Sequence, residues 1–233
     1  MIVALPDLAL DGRTGYATRA LRSQILEGRL PQGSRLSEVR LAKELELSRG
    51  PIREALRGLE REGIVTFIPS HGTFVARAGR VQAIEAIELR ERLEPFAFAQ
   101  AATRRGHAIV APLLGILAEM RARVQDGSTA GLSALHARYH GALYEQAGHG
   151  ALARAWRDLE AVTILHMNAT APSLEQARAL IAEHEQLAAV LVEADPETAT
   201  PAIVGHLGRA KAALVAMAPG PPVSASGHAQ RAA

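Results

Sequence analysis

The sequence predicts a mostly α-helical protein: an N-terminal winged helix-turn-helix followed by a C-terminal all-α bundle of about six helices. Three observations predict it. Between Ser37 and Val75, helical apolar patterns give way to two strand-like runs flanking the turn Pro69-Ser70-His71-Gly72. Beyond residue 80, apolar residues recur at helical spacing to residue 217, broken only at Gly and Pro. The chain is 48% hydrophobic but only 3% aromatic, so its core must be built from Leu, Ala, Ile and Val, which suits packed helices.

Residues 1–12 read as a loose arm. Tyr16–Glu27 reads as a first helix with Ala17, Ala20, Leu21 and Ile25 inward, closed by Gly28 and the turn Leu30-Pro31-Gln32-Gly33-Ser34. Ser37 caps a second helix that runs to Leu45, with Leu41, Ala42 and Leu45 inward. Glu46–Leu47 is the tight connection to the third. Ser48 stands at that helix's N-cap position, and Pro51 fits its first turn because the missing N–H has no partner there. Ile52, Ala55, Leu56, Leu59 and Ile64 form its apolar stripe, and Val65–Ile68 with Thr73–Val75 form a two-stranded hairpin. The winged domain thus spans 13–76, with 77–80 as a hinge. Helices follow over 81–105, 108–126, 131–147, 150–169, 174–194 and 197–217, within a domain of 81–218. Pro95 should bend the first of these or open a backbone bond. The Pro/Gly/Ser/Ala-rich tail of 219–233 is expected to be disordered.

The net charge is only +2, but residues 1–79 carry 12 Arg/Lys against 9 Asp/Glu, whereas residues 80–233 carry 14 against 15. The basic excess sits with the helix-turn-helix, where phosphate binding requires it. There is no cysteine, so neither a disulfide framework nor a thiolate metal site is available. No apolar run reaches membrane-spanning length, and the opening MIVALPDLALDGR lacks the charged region of a signal peptide. These features predict a cytoplasmic protein without a membrane partner.

Arg49 and Arg53, four apart at the N-terminal end of the third helix, are the candidate readers of base edges in double-stranded DNA. A guanidinium bridging O6 and N7 of guanine supplies roughly 1–3 kcal/mol of discrimination. Ser48, the first-turn backbone around Gly50, Arg35 and Arg40 are candidate phosphate contacts. His71 and Gly72 at the hairpin tip are placed to follow the backbone or enter the minor groove. The plainer alternative is that the arginines are a solvated helix face.

In the helical region His136 and His140 share one face at i and i+4. His184 and His206 each sit among inward apolar residues of a later helix. Neutral imidazoles facing a bundle interior suit Zn²⁺ or Ni²⁺; hydrogen-bonded core histidines are the other reading. A metal-dependent hydrolase is the rival function, but neither H-E-x-x-H, G-x-S-x-G nor a P-loop occurs.

The run RLSEVRLAKELELSRGPIREALRGLEREGIV and the later PSHGTFVA resemble the GntR family of bacterial transcriptional regulators, with Ser48, Arg49, Pro51, Arg53, Glu54, Ala55, Leu56, Leu59, Glu60, Gly63 and Gly72 matching its pattern. Two positions depart from it: Gly50 replaces a common Thr, and Val39 stands where some members carry an Arg near the phosphates. Glu88–Pro95, Leu135–Ala147 and Glu183-His184 resemble the FadR-type ligand-binding fold, the FCD domain. That resemblance implies a divalent metal at His140, His184 and His206, with His136 in the place of a usual Asp, and so either an all-His or a three-His site. It also implies a homodimer on a pseudo-palindromic operator, released by a small carboxylate metabolite. Arg90 is then the candidate anion clamp, unless it simply pairs with Glu94; Asn168 and His166 are candidate cavity residues. Six helices rather than seven point to the VanR-like group.

Overall fold

The computed structural model describes residues 12–77, 79–104, 106–170, 172–193 and 195–216. The expected tail, most of the arm and hinge residue Ala78 lie outside the described residues. In chain order the elements are α1 (Gly12–Leu26), β1 (Arg35–Leu36), α2 (Glu38–Glu44), α3 (Arg49–Arg61), β2 (Val65–Ile68) and β3 (Gly72–Val75). Then come α4 (Arg80–Thr103), α5 (His107–Gln125), α6 (Leu132–Gln146), α7 (Gly150–Thr170), α8 (Leu174–Glu193) and α9 (Pro196–Ala216).

The N-terminal unit differs from expectation in two places. The wing is a three-stranded sheet in the order β1-β3-β2, not a two-stranded hairpin. Arg35 pairs with Phe74 and Leu36 with Thr73, while β2 pairs antiparallel with β3 from Val65↔Val75 to Ile68↔Gly72. Two residues are too short a run to show alternation, so β1 is set by its tertiary partner. Helix α1 also begins at Gly12, four residues before the first inward residue, Tyr16. Ser37 caps α2 as expected, its Oγ accepting from Arg40 N at 3.4 Å. Ser48 occupies the N-cap of α3 in extended backbone, but its side chain makes no capping bond.

The inward residues of α1, α2 and α3 close one core around Leu21, Ile25, Leu41, Ile52, Leu59 and Ile64, and Ala161 and Leu165 of α7 join it. The bundle core is centred on Phe98, Leu113, Leu117, Met120, Tyr139 and Leu187. Helix α4 continues through Pro95. Two side chains stitch the winged unit to α7: Gln32 Nε2 donates to the Leu165 carbonyl, and Asn168 Nδ2 donates to the Leu26 carbonyl at 2.8 Å. On α6, Gly141 admits Trp156 of α7 so closely that a Cβ would lie 2.8 Å from the indole Nε1. This contact fixes α6 against α7 where α6 carries its two histidines.

Candidate nucleic-acid interface and metal centre

The charged side of α3 lies opposite its buried stripe of Ile52, Ala55, Leu56 and Leu59. Ser48, Arg49, Gly50 and Arg53 are all exposed at its N-terminal end, as are Arg35, Arg40 and His71 nearby. Arg35 reaches across β3 to the wing tip, where a Cβ on Gly72 would sit 3.5 Å from its guanidinium. His71 Nδ1 bonds the Pro69 carbonyl at 3.0 Å, and Arg40 lies 3.7 Å from Glu44. Of the eight residues singled out by sequence, seven are exposed and Gly72 is half-buried. Sequence reasoning missed Glu38, which holds both Arg49 and Arg53.

A Cβ at Gly50 would meet nothing within 4 Å, and the helix needs no positive φ there. Gly50→Thr is therefore expected to stabilise the protein by up to about 1 kcal/mol by removing unfolded-state freedom. It should also tighten DNA binding a few-fold through the added hydroxyl. A melt and a DNA titration of the variant check this; a lowered midpoint would contradict it.

Four histidines from three helices meet inside the bundle. His136 and His140 come from α6, His184 from α8 and His206 from α9, and one ring nitrogen of each lies within 4.8 Å of the others. All four are buried. His136 Nε2 is 3.1 Å from His140 Nε2, which is 3.3 Å from His184 Nε2. His184 Nδ1 donates to the Leu180 carbonyl at 2.7 Å, so its Nε2 carries the lone pair. His140 Nδ1 lies 3.0 Å from Glu94 Oε2 and His206 Nδ1 lies 3.2 Å from Glu183 Oε1, both off the axis of a formed hydrogen bond. These acceptors favour a proton on each Nδ1 and a lone pair on each Nε2.

Lone pairs facing one another repel unless a cation or a shared proton lies between them. Metal–nitrogen bonds of about 2.0–2.1 Å in tetrahedral array separate the nitrogens by about 3.3 Å, close to the His136–His140 and His140–His184 separations. Burial holds the His136 and His140 imidazoles well below the ordinary range; it brings His184 to about 3 and also lowers His206. Neutral, convergent imidazoles, with acceptors beside the Nδ1 of His140, His184 and His206, fit a borderline divalent ion such as Zn²⁺ or Ni²⁺.

His136 and His206 also line a cavity of about 420 Å³ between α4, α7, α8 and α9. Its walls are largely apolar (Ala86, Ile87, Met167, Leu214), with Arg90 and Arg209 as its cations. Arg90 forms the expected pair with Glu94 and also lines the cavity. Its Nε donates to Glu94 Oε1 at 2.6 Å, both side chains being buried, while its guanidinium lines the cavity and lies 5.6 Å from the Trp156 ring centre. Glu94 thus touches Arg90 with one oxygen and approaches His140 with the other. Glu183 likewise lies between an arginine and a histidine, Arg209 and His206, but meets both with Oε1. Sequence placed Glu94 only as the i, i+4 partner of Arg90; its approach to His140, and that of Glu183 to His206, depend on helices distant in sequence.

Asn168 is corrected. It does not line the cavity but bonds Leu26 on the opposite side of α7, because a helix turns about 100° per residue. His166 and Met167, about 200° and 100° from it around the helix, do line the cavity.

Sequence comparison matches residues 15–75 to the bacterial regulatory proteins of the gntR family and residues 85–209 to the FCD domain. The chain belongs to the GntR family. It is 30% identical over 193 residues to an HTH-type transcriptional regulator in an unstable DNA locus of Streptomyces ambofaciens, covering 80% of this chain and 78% of that one. It is 29% identical over 186 residues to a probable D-xylose utilization operon transcriptional repressor of Paenarthrobacter nicotinovorans, covering 79% and 80%. The solved structure of E. coli McbR/YncC shares the fold, with a TM-score of 0.75 at 24% identity over 88% of this chain and 98% of that one. This GntR protein is a ligand-responsive DNA-binding transcriptional regulator, not an enzyme, and the hydrolase reading of the His cluster is set aside. Among the described residues no helix is long and apolar enough to cross a membrane.

Proposed function

We propose that this regulator is a cytoplasmic, homodimeric repressor that leaves a pseudo-palindromic operator when a small carboxylate enters its histidine-lined cavity. One observation carries the reading: four buried imidazoles converge, and two of them, His136 and His206, line a cavity that Arg90 also lines. His136, His140, His184 and His206 would hold a divalent ion, which when bound offers a Lewis-acid position for a carboxylate oxygen. Arg90, oriented by Glu94, would receive the same carboxylate, while the apolar walls select its carbon skeleton. The six bundle helices described favour the VanR-like group. For assembly, α4 exposes Val81, Leu89 and Phe96, spaced eight and seven apart along one face, a stripe suited to a twofold partner helix.

On DNA, α3 would enter the major groove, with Arg49 and Arg53 at base edges. Ser48, the Gly50 amide, Arg35 and Arg40 would set register on phosphates, and His71-Gly72 would follow the adjoining backbone. Helix α7 supports a coupling route besides the 77–80 hinge. His166 and Met167 face the cavity, while the Leu165 carbonyl and Asn168 are bonded to the winged unit. A ligand that shifts α7 therefore changes how the winged unit is held, provided it binds the two placements with different affinity.

The test is a Gln32→Ala/Asn168→Ala variant. It should bind operator within about threefold of wild type, since neither residue lies on the DNA edge. Zn²⁺-loaded wild type is screened for release of operator with lactate, malonate, citrate and gluconate as probes. The acid that releases it should have at least tenfold less effect on the variant, the loss of a coupling of about 1–3 kcal/mol. Equal release from both proteins would remove α7 from the mechanism; no release by any carboxylate from a metal-loaded protein would remove the carboxylate reading.

A further inference from the structure

Glu38, the first residue of α2 after the Ser37 cap, joins the two reader arginines. Arg53 grips it as a fork, Nε donating to Oε1 at 3.1 Å and Nη2 to Oε2 at 2.9 Å. Arg49 Nη2 donates to the same Oε2 at 3.3 Å. The Glu38 side chain is 27% exposed, against 61% for Arg49 and 49% for Arg53, so the acid lies beneath the guanidiniums and they stand in front of it. The Arg53 hydrogen bonds hold its carboxyl below the usual range, so it is charged at neutral pH.

Two consequences follow from this geometry. A guanidinium has five N–H donors, and the fork uses only two of those on Arg53, leaving the others for a base edge. Arg53 is thus held in one orientation rather than searching among rotamers, which lowers the ordering cost of a bidentate contact. At the same time the carboxylate cancels one of the two positive charges that face DNA. Sequence-independent binding depends on that charge, whereas a guanine edge rewards the orientation.

We propose that Glu38 is a positioning residue that determines specificity, aiming Arg53 and Arg49 at guanine edges while suppressing attachment to non-cognate DNA. The inference rests on the recognition-helix reading above.

The experiment uses the full chain and Glu38→Gln, Glu38→Asp and Arg53→Ala variants. Each is titrated against an operator selected from random duplexes by the wild type, and against unselected duplex of equal length, from 50 to 200 mM salt. Glu38→Gln should bind unselected duplex about 3–10-fold tighter at the lowest salt, with a salt slope steeper by about one. Its preference for operator should fall at least tenfold, and Glu38→Asp should recover part of it. A purely structural role would weaken binding to both duplexes alike and leave the slope unchanged, which would overturn the proposal. Unchanged preference in Glu38→Gln, with preference lost in Arg53→Ala, would overturn the Glu38 role alone. Preference retained in Arg53→Ala would overturn the recognition-helix reading beneath it.

Discussion

Arg53→Ala is expected to weaken operator binding about a hundredfold or more while leaving the fold and the assembly unchanged. Each bidentate contact to guanine is worth roughly 1–3 kcal/mol, and a twofold dimer places one in each half-site, so the loss counts twice. The same substitution costs the fold little. Arg53 is half-exposed, lies off the buried stripe of α3, and forms its ion pair at the surface with Glu38, where truncation typically changes stability by no more than about 0.5 kcal/mol. Equilibrium binding to a selected operator, beside size measurement of the free protein, separates the two effects. Affinity within threefold of wild type would remove Arg53 from base reading.

The second large effect belongs to the interior. Glu94→Ala should destabilise the metal-free protein by about 3–5 kcal/mol, because it strands a buried Arg90. At about 2–4 °C per kcal/mol for a chain of this size, the midpoint should fall by about 10 °C. Replacing both partners with apolar residues, as in Arg90→Met/Glu94→Leu, removes the charge instead of orphaning it and should regain most of the loss. Thermal denaturation of the three proteins is the measurement. A single variant as stable as wild type would mean that the pair is solvated and Arg90 is not held for a ligand.

The two arginines show what could be read without coordinates. Pattern alone placed every bundle helix to within two residues, since Gly106, Gly127, Gly148, Pro172 and Pro196 interrupt an otherwise continuous periodicity. It also placed all four histidines on inward faces, where the structure brings them together. What it could not supply is anything that depends on helices distant in sequence. Glu94 becomes informative only when α6 sets His140 beside it, and Glu183 only when α9 brings His206 and Arg209 to it. Asn168 failed for the converse reason: its helix has two occupied faces, and sequence does not say which one meets the cavity. β1 was hidden because a two-residue strand exists only through its pairing with β3.

The most direct test of the central claim is elemental analysis of protein purified without a polyhistidine tag, beside a His140→Ala/His184→Ala variant. The structure leads to an expected stoichiometry of about one Zn²⁺ or Ni²⁺ per chain, set by one cluster of four imidazoles, and to its loss in the variant. Wild-type protein that stays metal-free after incubation with either ion would contradict a metal-built effector site.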